Sequence, residues 1–588
     1  MNSLSFQTGG RLRTSAILAL AHLIIVSCTM TAPAEEVAET DWRPNILLVL
    51  TDDQGYSDVG FNGNPHVRTP VLDTFSESAL VFDQFYTQPV CSPTRAALLT
   101  GQFAARSGVI DTQAGAALLP TEKVTLAEML QSGGYATGLF GKWHLGDNAP
   151  MRPEDQGFDR VLRHDGGMIG TWYSPPGGRS YFDPILWEDG DQKSFDGYAP
   201  DIFTDAAIDF IRENDRQPFF AFLSFNTPHH PLTVSDSFAK TYRERGFSEY
   251  TSRFYGMIEN IDYNFGRVLT TLKETRNLDN TLIIFLSDNG TSSLHRQDDL
   301  WEIGLRGRKT YVYENGIRVP MFIRLPQDSG IAGRTDQVAM AEDLMPTVLE
   351  AAGIESSVLF DGVSLLPLLQ RQIDSLPDRP LVFQFHRGAT PVHMRNIAVR
   401  TGDYKLVQPI GRGDSAFEPD LATFELYELS TDPHEKDDLS QSEPQRVATL
   451  IETYSNWADE VGEEPFVPRP IWIGSELQNP VILTRQDWWD VTMQDGQTGP
   501  YHLEVKSAGT YQLTFRWNEL FNATHKVMIE LGDQTFEREI HRSELEARIE
   551  AVTLQPGPLV LRAGIEIDGV AHGFRYIEIE KLSESVIP

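Results

Sequence analysis

Short apolar runs alternate with amphipathic stretches between residues 45 and 349. This alternation predicts an α/β fold with a large, mainly parallel sheet sandwiched by helices. Four apolar runs that end in polar tails are predicted to be strands, at Asn45–Leu50, Tyr135–Phe140, Phe219–Phe225 and Thr281–Leu286. Because the carboxyl ends of parallel strands form the ligand crevice of such a sheet, we expect the four polar tails to converge in one pocket.

The pattern changes after residue 375. Residues 376–465 are predicted to form a small α+β subdomain, with strands within Asn396–Val407 and Phe424–Leu429 and a closing helix at Ser442–Val461. The proline- and glutamate-containing stretch Gly462–Pro470 is typical of either an extended linker or a chain crossing between domains.

Beyond this stretch, residues 466–588 carry short alternating strands separated by turn residues, which predicts a β-sandwich-like accessory domain. The predicted strands are Tyr501–Val505, Gly509–Trp517, Lys526–Leu531, Leu559–Ala563 and Phe574–Glu580. The sequence leaves two roles open for this domain, a glycan-binding module or a unit that packs against the core and stabilises it. The catalytic α/β domain itself is expected to cover residues 42–375.

Residues 1–34 are predicted to be an export segment. Arg11 and Arg13 precede the apolar stretch Ala16–Val26, which is too short to span a bilayer as a stable helix. The tetrapeptide Ile25-Val26-Ser27-Cys28 resembles a bacterial lipobox, in which Cys28 would carry a lipid anchor, whereas Ala32-Pro33-Ala34 offers an ordinary cleavage site. Both alternatives predict an exported protein, located in the periplasm, on the outer membrane as a lipoprotein, or outside the cell.

Charge and cysteine content narrow the function further. With 83 Asp and Glu against 49 Lys and Arg, the 588-residue chain has a formal charge of -34, which opposes nonspecific nucleic-acid binding. An anionic substrate must therefore be held by a local cationic site. Two cysteines exclude a disulfide framework and cysteine-rich metal modules, and after removal of the export segment Cys91 is the one that stays in the folded domain.

Cys91 opens a segment with the start and stop signals of a short helix, namely an early Pro93 and a terminal Gly101. Residue 91 is therefore expected at a helix N-terminus, where free backbone N–H groups favour an anion, and Arg95 lies one turn further on. A buried thiol on a core helix is the ordinary interpretation of a lone cysteine. That interpretation does not explain the neighbouring arginine and proline.

This segment, Cys-x-Pro-x-Arg followed by x-x-x-Leu-Thr-Gly, resembles the signature of type I sulfatases in the alkaline-phosphatase-like superfamily, and the resemblance covers roughly residues 45 to 460. In that family the cysteine is oxidised after translation to formylglycine by a maturation enzyme, which would make that enzyme a partner of this chain. Further positions that match family motifs are Asp52, Asp53, Lys142, His144, His229, Asp288, Asn289 and Lys309. Around Lys309, Arg308, Thr310 and Asn315 replace glycines of the family pattern.

The acidic tails also predict a metal site. Asp52, Asp53, Asp288 and Asn289 offer only hard oxygen ligands, which suit Ca²⁺ better than zinc, while Mg²⁺ keeps more of its water. A solvated turn is the alternative for an Asp-Asp pair alone, but acidic tails on two strand ends favour a shared site. By resemblance, residue 91 is a fifth ligand, and one Ca²⁺ ion is expected.

The resemblance implies a mechanism for sulfate ester hydrolysis. Hydrated formylglycine at residue 91 attacks sulfur after Asp288 takes its proton, and the second hydroxyl later loses its proton to His144 to expel the sulfate. The remaining roles are stabilisation of the sulfuryl oxygens by Arg95, Lys142, Lys309 and the metal, and protonation of the leaving alcohol by His229.

The sequence thus predicts an exported sulfatase that acts on a sulfated carbohydrate, such as a polysaccharide-derived oligosaccharide. A phosphoester or phosphonate monoester hydrolase of the same superfamily is the alternative enzyme. An alternative from another class is a noncatalytic protein that binds sulfated glycans and keeps an unmodified thiol at residue 91.

Overall fold

The computed structural model describes residues 43–170, 180–292, 299–326, 331–412, 423–462, 466–489, 498–517, 523–567 and 570–582. The predicted export segment and Cys28 lie outside the described residues. Among the described helices, none combines the length and the apolar character that crossing a membrane requires.

The main sheet has ten strands. In chain order they are β1 (Asn45–Thr51), β2 (Leu80–Tyr86), β3 (Ala136–Gly141), β4 (Arg160–Arg163), β5 (Ile185–Glu188), β6 (Asp191–Ser194), β7 (Phe219–Ser224), β8 (Thr281–Ser287), β9 (Met321–Arg324) and β10 (Gly333–Met340). They are arranged in the order β10-β2-β9-β8-β1-β7-β3-β4-β5-β6. The four strands predicted from polar tails, β8, β1, β7 and β3, are adjacent and parallel, so their carboxyl ends meet at one edge.

Helices cover both faces of this sheet. The described α-helices of the chain are α1 (Pro70–Ser76), α2 (Cys91–Thr100), α3 (Ala104–Ser107), α4 (Leu126–Ser132), α5 (Ala199–Glu213), α6 (Asp236–Glu244), α7 (Glu249–Glu274), α8 (Glu314–Ile317), α9 (Leu344–Ala351), α10 (Leu366–Leu369) and α11 (Pro444–Val461), the last of which packs against the subdomain sheet. Along β1, Leu48 and Leu50 pack with α2, α4 and α9, while Leu47 and Val49 pack with α5 and α7. A strand buried on both faces has a continuous apolar sequence, which explains the uninterrupted run of β1.

The subdomain has an antiparallel sheet of β11 (Leu381–Gln384), β12 (Ile397–Thr401), β13 (Tyr404–Gln408) and β14 (Glu425–Glu428), with α11 against it. A buried ion network attaches it to the catalytic domain, because Lys405 Nζ lies 2.8 Å from Glu314 Oε1 and 2.8 Å from Glu435 Oε1.

The C-terminal strands form two sheets. They are β15 (Ile471–Ile473), β16 (Val481–Leu483), β17 (Tyr501–Val505), β18 (Gly509–Arg516), β19 (His525–Leu531), β20 (Gln534–Ile540), β21 (Glu546–Leu554), β22 (Gly557–Ile567), β23 (Val570–His572) and β24 (Tyr576–Lys581). One sheet has the order β15-β17-β22-β19-β20 with β23 on β22, and the other has the order β16-β24-β18-β21. Both sheets contribute to one apolar cluster, as in a sandwich. The predicted fold class is confirmed.

Residues 466–470 cross the surface of the catalytic domain and are not a free linker. Phe466 is buried with Ala105, Ile110 and Ala116, and Arg469 Nη2 donates to the Gly108 carbonyl over 3.0 Å. Of the two alternatives for the stretch Gly462–Pro470, the described part therefore favours a crossing chain.

Candidate active site

The carboxyl end of β1 places Asp52 and Asp53 at the centre of the site. Asp53 adopts a left-handed φ of 68°, which turns the chain sharply after the strand. Its amide donates to Asp288 Oδ1 at 3.3 Å, and the Asp288 amide donates to the Thr51 carbonyl at 3.0 Å. The tails of β1 and β8 are thus held together by direct hydrogen bonds, as their parallel pairing predicts.

Helix α2 begins at Cys91, and all ten of its residues are buried. The Cys91 thiol lies 3.6 Å from Asp52 Oδ1 and 3.2 Å from Lys309 Nζ. Burial raises the pKa of this thiol to about 12, and the nearby lysines offset only part of that effect. An unmodified Cys91 is therefore a neutral thiol at neutral pH and lacks the nucleophilic thiolate form.

Arg95 binds other groups of the site with every nitrogen of its guanidinium. Nε and Nη2 donate to Asp288 Oδ2 at 3.1 and 2.9 Å, and Nη1 donates to the Lys142 carbonyl and to Ser224 Oγ at 2.9 and 2.8 Å. The side chain is only 1% exposed. The structure therefore places Arg95 as a positioning residue for Asp288, and the electrostatic stabilisation of the sulfuryl oxygens that the resemblance implies for it stays a prediction.

Two lysines neutralise the paired aspartates. Lys142 Nζ lies 2.7 Å from Asp52 Oδ2, and Lys309 Nζ lies 2.5 Å from Asp53 Oδ1. Burial by itself would raise the pKa of Asp52 and of Asp53, but these lysines and His229 hold both below the usual range. The site thus contains an ionised carboxylate pair in a solvent-excluded pocket, which is costly unless cations balance it.

Lys309 reaches this pocket although its sequence neighbourhood departs from the family pattern. Thr310, where that pattern has glycine, takes a left-handed φ of 75°, a conformation that glycine adopts without strain. The Thr310 amide donates to the Pro89 carbonyl at 2.8 Å, which anchors the lysine stretch beside the residues leading into α2.

His229 lies at the opening of the pocket, with its side chain 16% exposed. Its Nδ1 lies 2.9 Å from the His230 carbonyl, so Nδ1 carries the proton and donates it there. The free Nε2 lies 3.6 Å from Asp53 Oδ2. His230 turns away from this pair, and its Nε2 is 3.0 Å from the Tyr250 hydroxyl.

His144 lies beyond β3, in a loop where its φ is 62°. Lys142 and His144 both lie after the end of β3. The conformation of the loop, and not the alternation of side chains along a strand, therefore brings both side chains to the pocket. His144 Nε2 lies 3.1 Å from the Thr112 carbonyl, and the Ser92 hydroxyl donates to the His144 carbonyl at 2.8 Å. Burial, Lys142 and Arg95 lower the pKa of His144 well below its usual value. Within the described part of the chain, Nδ1 is buried without a hydrogen-bond partner.

The donor atoms fit a hard cation. Ligand atoms of Asp52, Asp53, Cys91 and His229 lie within 4.8 Å of one another. Asn289 Nδ2 donates to Asp53 Oδ1 at 2.8 Å, while Asn289 Oδ1 is buried with no hydrogen-bond partner among the described residues. An amide oxygen left unpaired beside carboxylates is a ligand that Ca²⁺ prefers. The structure thus brings all ten predicted site residues together, and it places His229, predicted as a catalytic residue, among the possible metal ligands.

Sequence analysis missed Ser224 and Thr112. Ser224, the last residue of β7, accepts from Arg95 and donates to the Lys142 carbonyl at 2.7 Å. The sequence could have indicated Ser224, because it lies at the end of a strand whose tail was predicted to enter the pocket. Thr112 contacts His144 through its backbone carbonyl, a contact that no side-chain motif encodes.

Comparison with known proteins identifies the family. A model of the sulfatase family matches residues 44–354, and a model described as the C-terminal part of N-sulphoglucosamine sulphohydrolase matches residues 305–455. Human arylsulfatase A is 33% identical over 437 residues, covering 67% of this chain and 82% of the relative. The N-acetylglucosamine-6-O-sulfatase of Bacteroides thetaiotaomicron is 25% identical over 559 residues, covering 77% and 92%.

A similar solved structure is Ps i-CgsB in complex with k-i-k-neocarrahexaose, with a TM-score of 0.63 and 26% identity, covering 72% of this chain and 94% of that one. The chain belongs to the formylglycine-dependent sulfatase family of the alkaline-phosphatase-like superfamily, as its motifs predicted. It is accordingly a sulfuric ester hydrolase.

Proposed function

We propose that this chain is an exported sulfatase that hydrolyses a sulfate ester of a carbohydrate, with formylglycine formed from Cys91 and one Ca²⁺ ion. The observation that carries the proposal is the position of Cys91 at the start of a buried helix, within 3.6 Å of Asp52 and 3.2 Å of Lys309. A residue in this place contacts both the acidic and the cationic half of the site.

The names of similar proteins support a carbohydrate substrate. The Bacteroides relative is named for N-acetylglucosamine 6-O-sulfate, and the similar solved structure holds a neocarrahexaose. The mammalian N-acetylgalactosamine-6-sulfatases belong to the same set, the human enzyme being 32% identical over 375 residues. Because the chain has a net charge of -34, it repels an anionic substrate as a whole, and binding depends on the local cations of the pocket.

Asp52, Asp53, Asp288 and Asn289 would hold Ca²⁺, together with residue 91. When bound, the ion would supply positive charge against the sulfuryl oxygens. A hydrated formylglycine at residue 91 would supply two hydroxyl groups, one to attack sulfur and one to expel the sulfate afterwards.

The protein residues divide the remaining work. Lys142 and Lys309 bring fixed positive charge to the pocket, where a developing negative charge is stabilised without reorganisation. Arg95 orients Asp288, whose Oδ1 is positioned to accept a proton. In its doubly protonated form, His229 donates a proton from Nε2 to the oxygen of the departing alcohol, while Nδ1 keeps its own proton and holds the ring on the His230 carbonyl. His144 Nδ1, which lacks a partner in the described structure, accepts a proton when the sulfate leaves.

Export and maturation complete the proposal. Residues 1–34 would direct export, with Cys28 lipidated or with cleavage after Ala34, and a formylglycine-generating enzyme would act on Cys91. The mass of the mature N-terminal peptide decides between the two forms. A diacylglycerol on Cys28 marks a lipoprotein, a free N-terminus at Glu35 marks ordinary cleavage, and an intact Met1 would contradict export.

The decisive experiment measures sulfate release by ion chromatography from a panel of sulfated algal and animal oligosaccharides. The chain is coexpressed with a formylglycine-generating enzyme, and the aldehyde is verified by mass on the tryptic peptide from Thr69 to Arg95. We expect release by the wild type and a loss of about 10⁴-fold or more in Cys91→Ala. Thr100→Ser, at the other end of α2, serves as the matched control and should retain activity.

Two results would overturn the proposal. Turnover of phosphate monoesters or phosphonates in preference to every sulfate ester would favour the alternative hydrolase. Tight binding of sulfated glycans without turnover, by protein whose residue 91 stays a thiol despite the coexpressed formylglycine-generating enzyme, would favour the noncatalytic alternative.

A further inference from the structure

The C-terminal domain contacts the two loops that hold His144. The His144 loop (residues 143–151) carries the histidine, and the Thr112 loop (residues 111–118) carries the carbonyl that lies 3.1 Å from its Nε2. The two loops are also joined by the Leu119 amide, which donates to the Leu145 carbonyl over 2.9 Å. Displacement of either loop therefore moves the imidazole.

The His144 loop is held by a closed set of hydrogen bonds. The Gln478 side chain donates to Asn148 Oδ1 at 3.1 Å and accepts from the Ala149 amide at 2.8 Å. Asn148 Nδ2 donates to the Ile482 carbonyl at 2.9 Å, and the Trp472 amide donates to the Ala149 carbonyl at 2.9 Å. Asn148 is only 1% exposed and Gln478 8% exposed, so water does not readily replace these partners.

The Thr112 loop is held by backbone contacts. The Gly115 amide donates to the Gln486 carbonyl at 2.8 Å. Gly115 has a φ of 76°, and a Cβ at this position would lie 2.6 Å from the Trp488 carbonyl oxygen. Glycine is required here because the C-terminal chain approaches the loop so closely.

Apolar packing joins the same two loops to the sandwich. Leu118 and Met151 belong to the apolar cluster of the C-terminal domain, together with Ile471 and Leu483. Each loop thus contributes a side chain to the core of a domain that lies outside both family-model matches, which end at residues 354 and 455.

From these contacts we propose that the C-terminal domain is a structural part of the active site, in which Gln478 positions the His144 loop for catalysis. The domain does not act as an independent appendage. This inference rests on the catalytic role proposed for His144, and Gln478 is a positioning residue that acts through Asn148 and Ala149.

The test compares Gln478→Ala with Ile529→Ala. Ile529 is buried in the sandwich on β19, which β22 and β17 separate from β15, the strand whose Trp472 amide bonds the His144 loop, so its truncation weakens the domain away from that contact. We expect Gln478→Ala to lower kcat roughly tenfold with KM changed less than twofold, because a displaced catalytic group slows the chemical step and leaves ground-state binding intact. Ile529→Ala should lower the unfolding temperature and leave kcat unchanged at 25 °C.

Hydrogen exchange supplies a readout that does not depend on turnover. In Gln478→Ala, amides of residues 143–151 and 111–118 should exchange at least tenfold faster, while the Ile529→Ala variant should leave both loops at the wild-type rate. Gly115→Ala, which acts from the other loop, should reproduce the loss of kcat.

Wild-type kcat or unchanged loop exchange in Gln478→Ala would overturn the inference. An equal loss of kcat in Ile529→Ala would also overturn it, because general destabilisation would then explain the effect. If the wild type released no sulfate, the proposed function would fail, and the exchange rates would still decide whether the domain holds the His144 loop.

Discussion

The carboxyl edge of the main sheet and the interior of the C-terminal sandwich are both buried, but they bury opposite kinds of side chain. At the sheet edge, the carboxylates of Asp52 and Asp53 pair with Lys142 and Lys309, and the carboxylate of Asp288 pairs with Arg95. Within the described residues of the sandwich domain, the buried charged side chains are Arg469 and Asp487, and both lie where the domain meets the catalytic domain.

The difference shows where function and stability reside. Burying charge has a large desolvation cost that pairing only offsets, so the sheet edge is held for its electrostatics. The sandwich buries apolar surface, which stabilises in proportion to the area removed from water. Substitutions at the sheet edge should therefore change turnover, substitutions inside the sandwich should change stability, and substitutions at their border should change both.

Among the tests of this contrast, the largest expected effect comes from removing the proposed calcium ion. Treatment with a chelator such as EGTA should lower sulfate release about 10³-fold or more, because the pocket would lose the positive charge that stabilises the sulfuryl oxygens. Added Ca²⁺ should restore the rate more fully than Mg²⁺, as measured by turnover alongside metal content. Full activity in protein shown to be free of metal would contradict the calcium assignment.

The adjacent residues Lys309 and Arg308 test whether turnover depends on a cation inside the pocket. Lys309→Ala should lower kcat/KM by about 10²–10³-fold, since it removes a preorganised charge that lies 3.2 Å from residue 91. The matched control is Arg308→Ala, whose guanidinium pairs with Glu302. It should change kcat/KM less than about threefold, whereas similar losses in both variants would assign the effect to the loop.

Inside the sandwich, Leu513→Ala should lower the free energy of unfolding by about 3 kcal/mol, because Leu513 is fully buried and its truncation leaves a cavity. Urea denaturation followed by tryptophan fluorescence would measure this, and kcat at 25 °C should stay at the wild-type value. Gln534→Ala, on the exposed edge strand β20, should change stability by less than about 0.5 kcal/mol. A large loss of kcat in Leu513→Ala would contradict the view that the interior of the sandwich contributes to stability and not to turnover.

The smallest effect is expected at Asp487, where the sandwich domain meets the catalytic domain. Burial raises the pKa of Asp487 to about 7, with Asp147 adding to the shift, while bonds from Thr484 and Asn148 oppose it. A carboxyl whose folded pKa exceeds its unfolded value near 3.8 stabilises most at low pH, and this contribution is lost as the pH rises towards 7.

Asp487→Asn removes that titration, so its stability relative to the wild type should rise by about 2 kcal/mol between pH 4 and pH 6. Unfolding free energies measured at intervals over this range would show the trend. A difference between variant and wild type that stays constant with pH would show that Asp487 titrates normally.

Much of the catalytic domain could be predicted because its determinants are local. Continuous apolar runs mark strands buried on both faces, and the polar residues directly after them mark the shared edge. The motif around Cys91 and Arg95 fixed the family, and the comparisons confirmed it. The domain bounds, the calcium ion and the export segment stay predictions.

Other features depend on tertiary contacts that no local pattern records. The unpredicted strand β20 is mostly exposed, and the unpredicted strand β21 buries only three of its nine residues, so neither sequence shows a clear apolar alternation. Arg95 was expected to stabilise the sulfuryl oxygens electrostatically, and only the folded chain shows that all its guanidinium nitrogens are bound to residues at the ends of β3, β7 and β8. The His144 loop owes its position to Gln478, which lies 330 residues further along the chain than its partner Asn148.

The burial of α2 also determines when an enzyme can reach residue 91 during folding. The Cys91 side chain is 2% exposed, and the helix that follows it is buried along its whole length. An enzyme that oxidises this thiol has to bind the surrounding chain in an accessible form, which the folded domain does not offer. The proposed maturation at residue 91 would therefore have to precede the packing of α2, and a chain that folded first would keep the thiol.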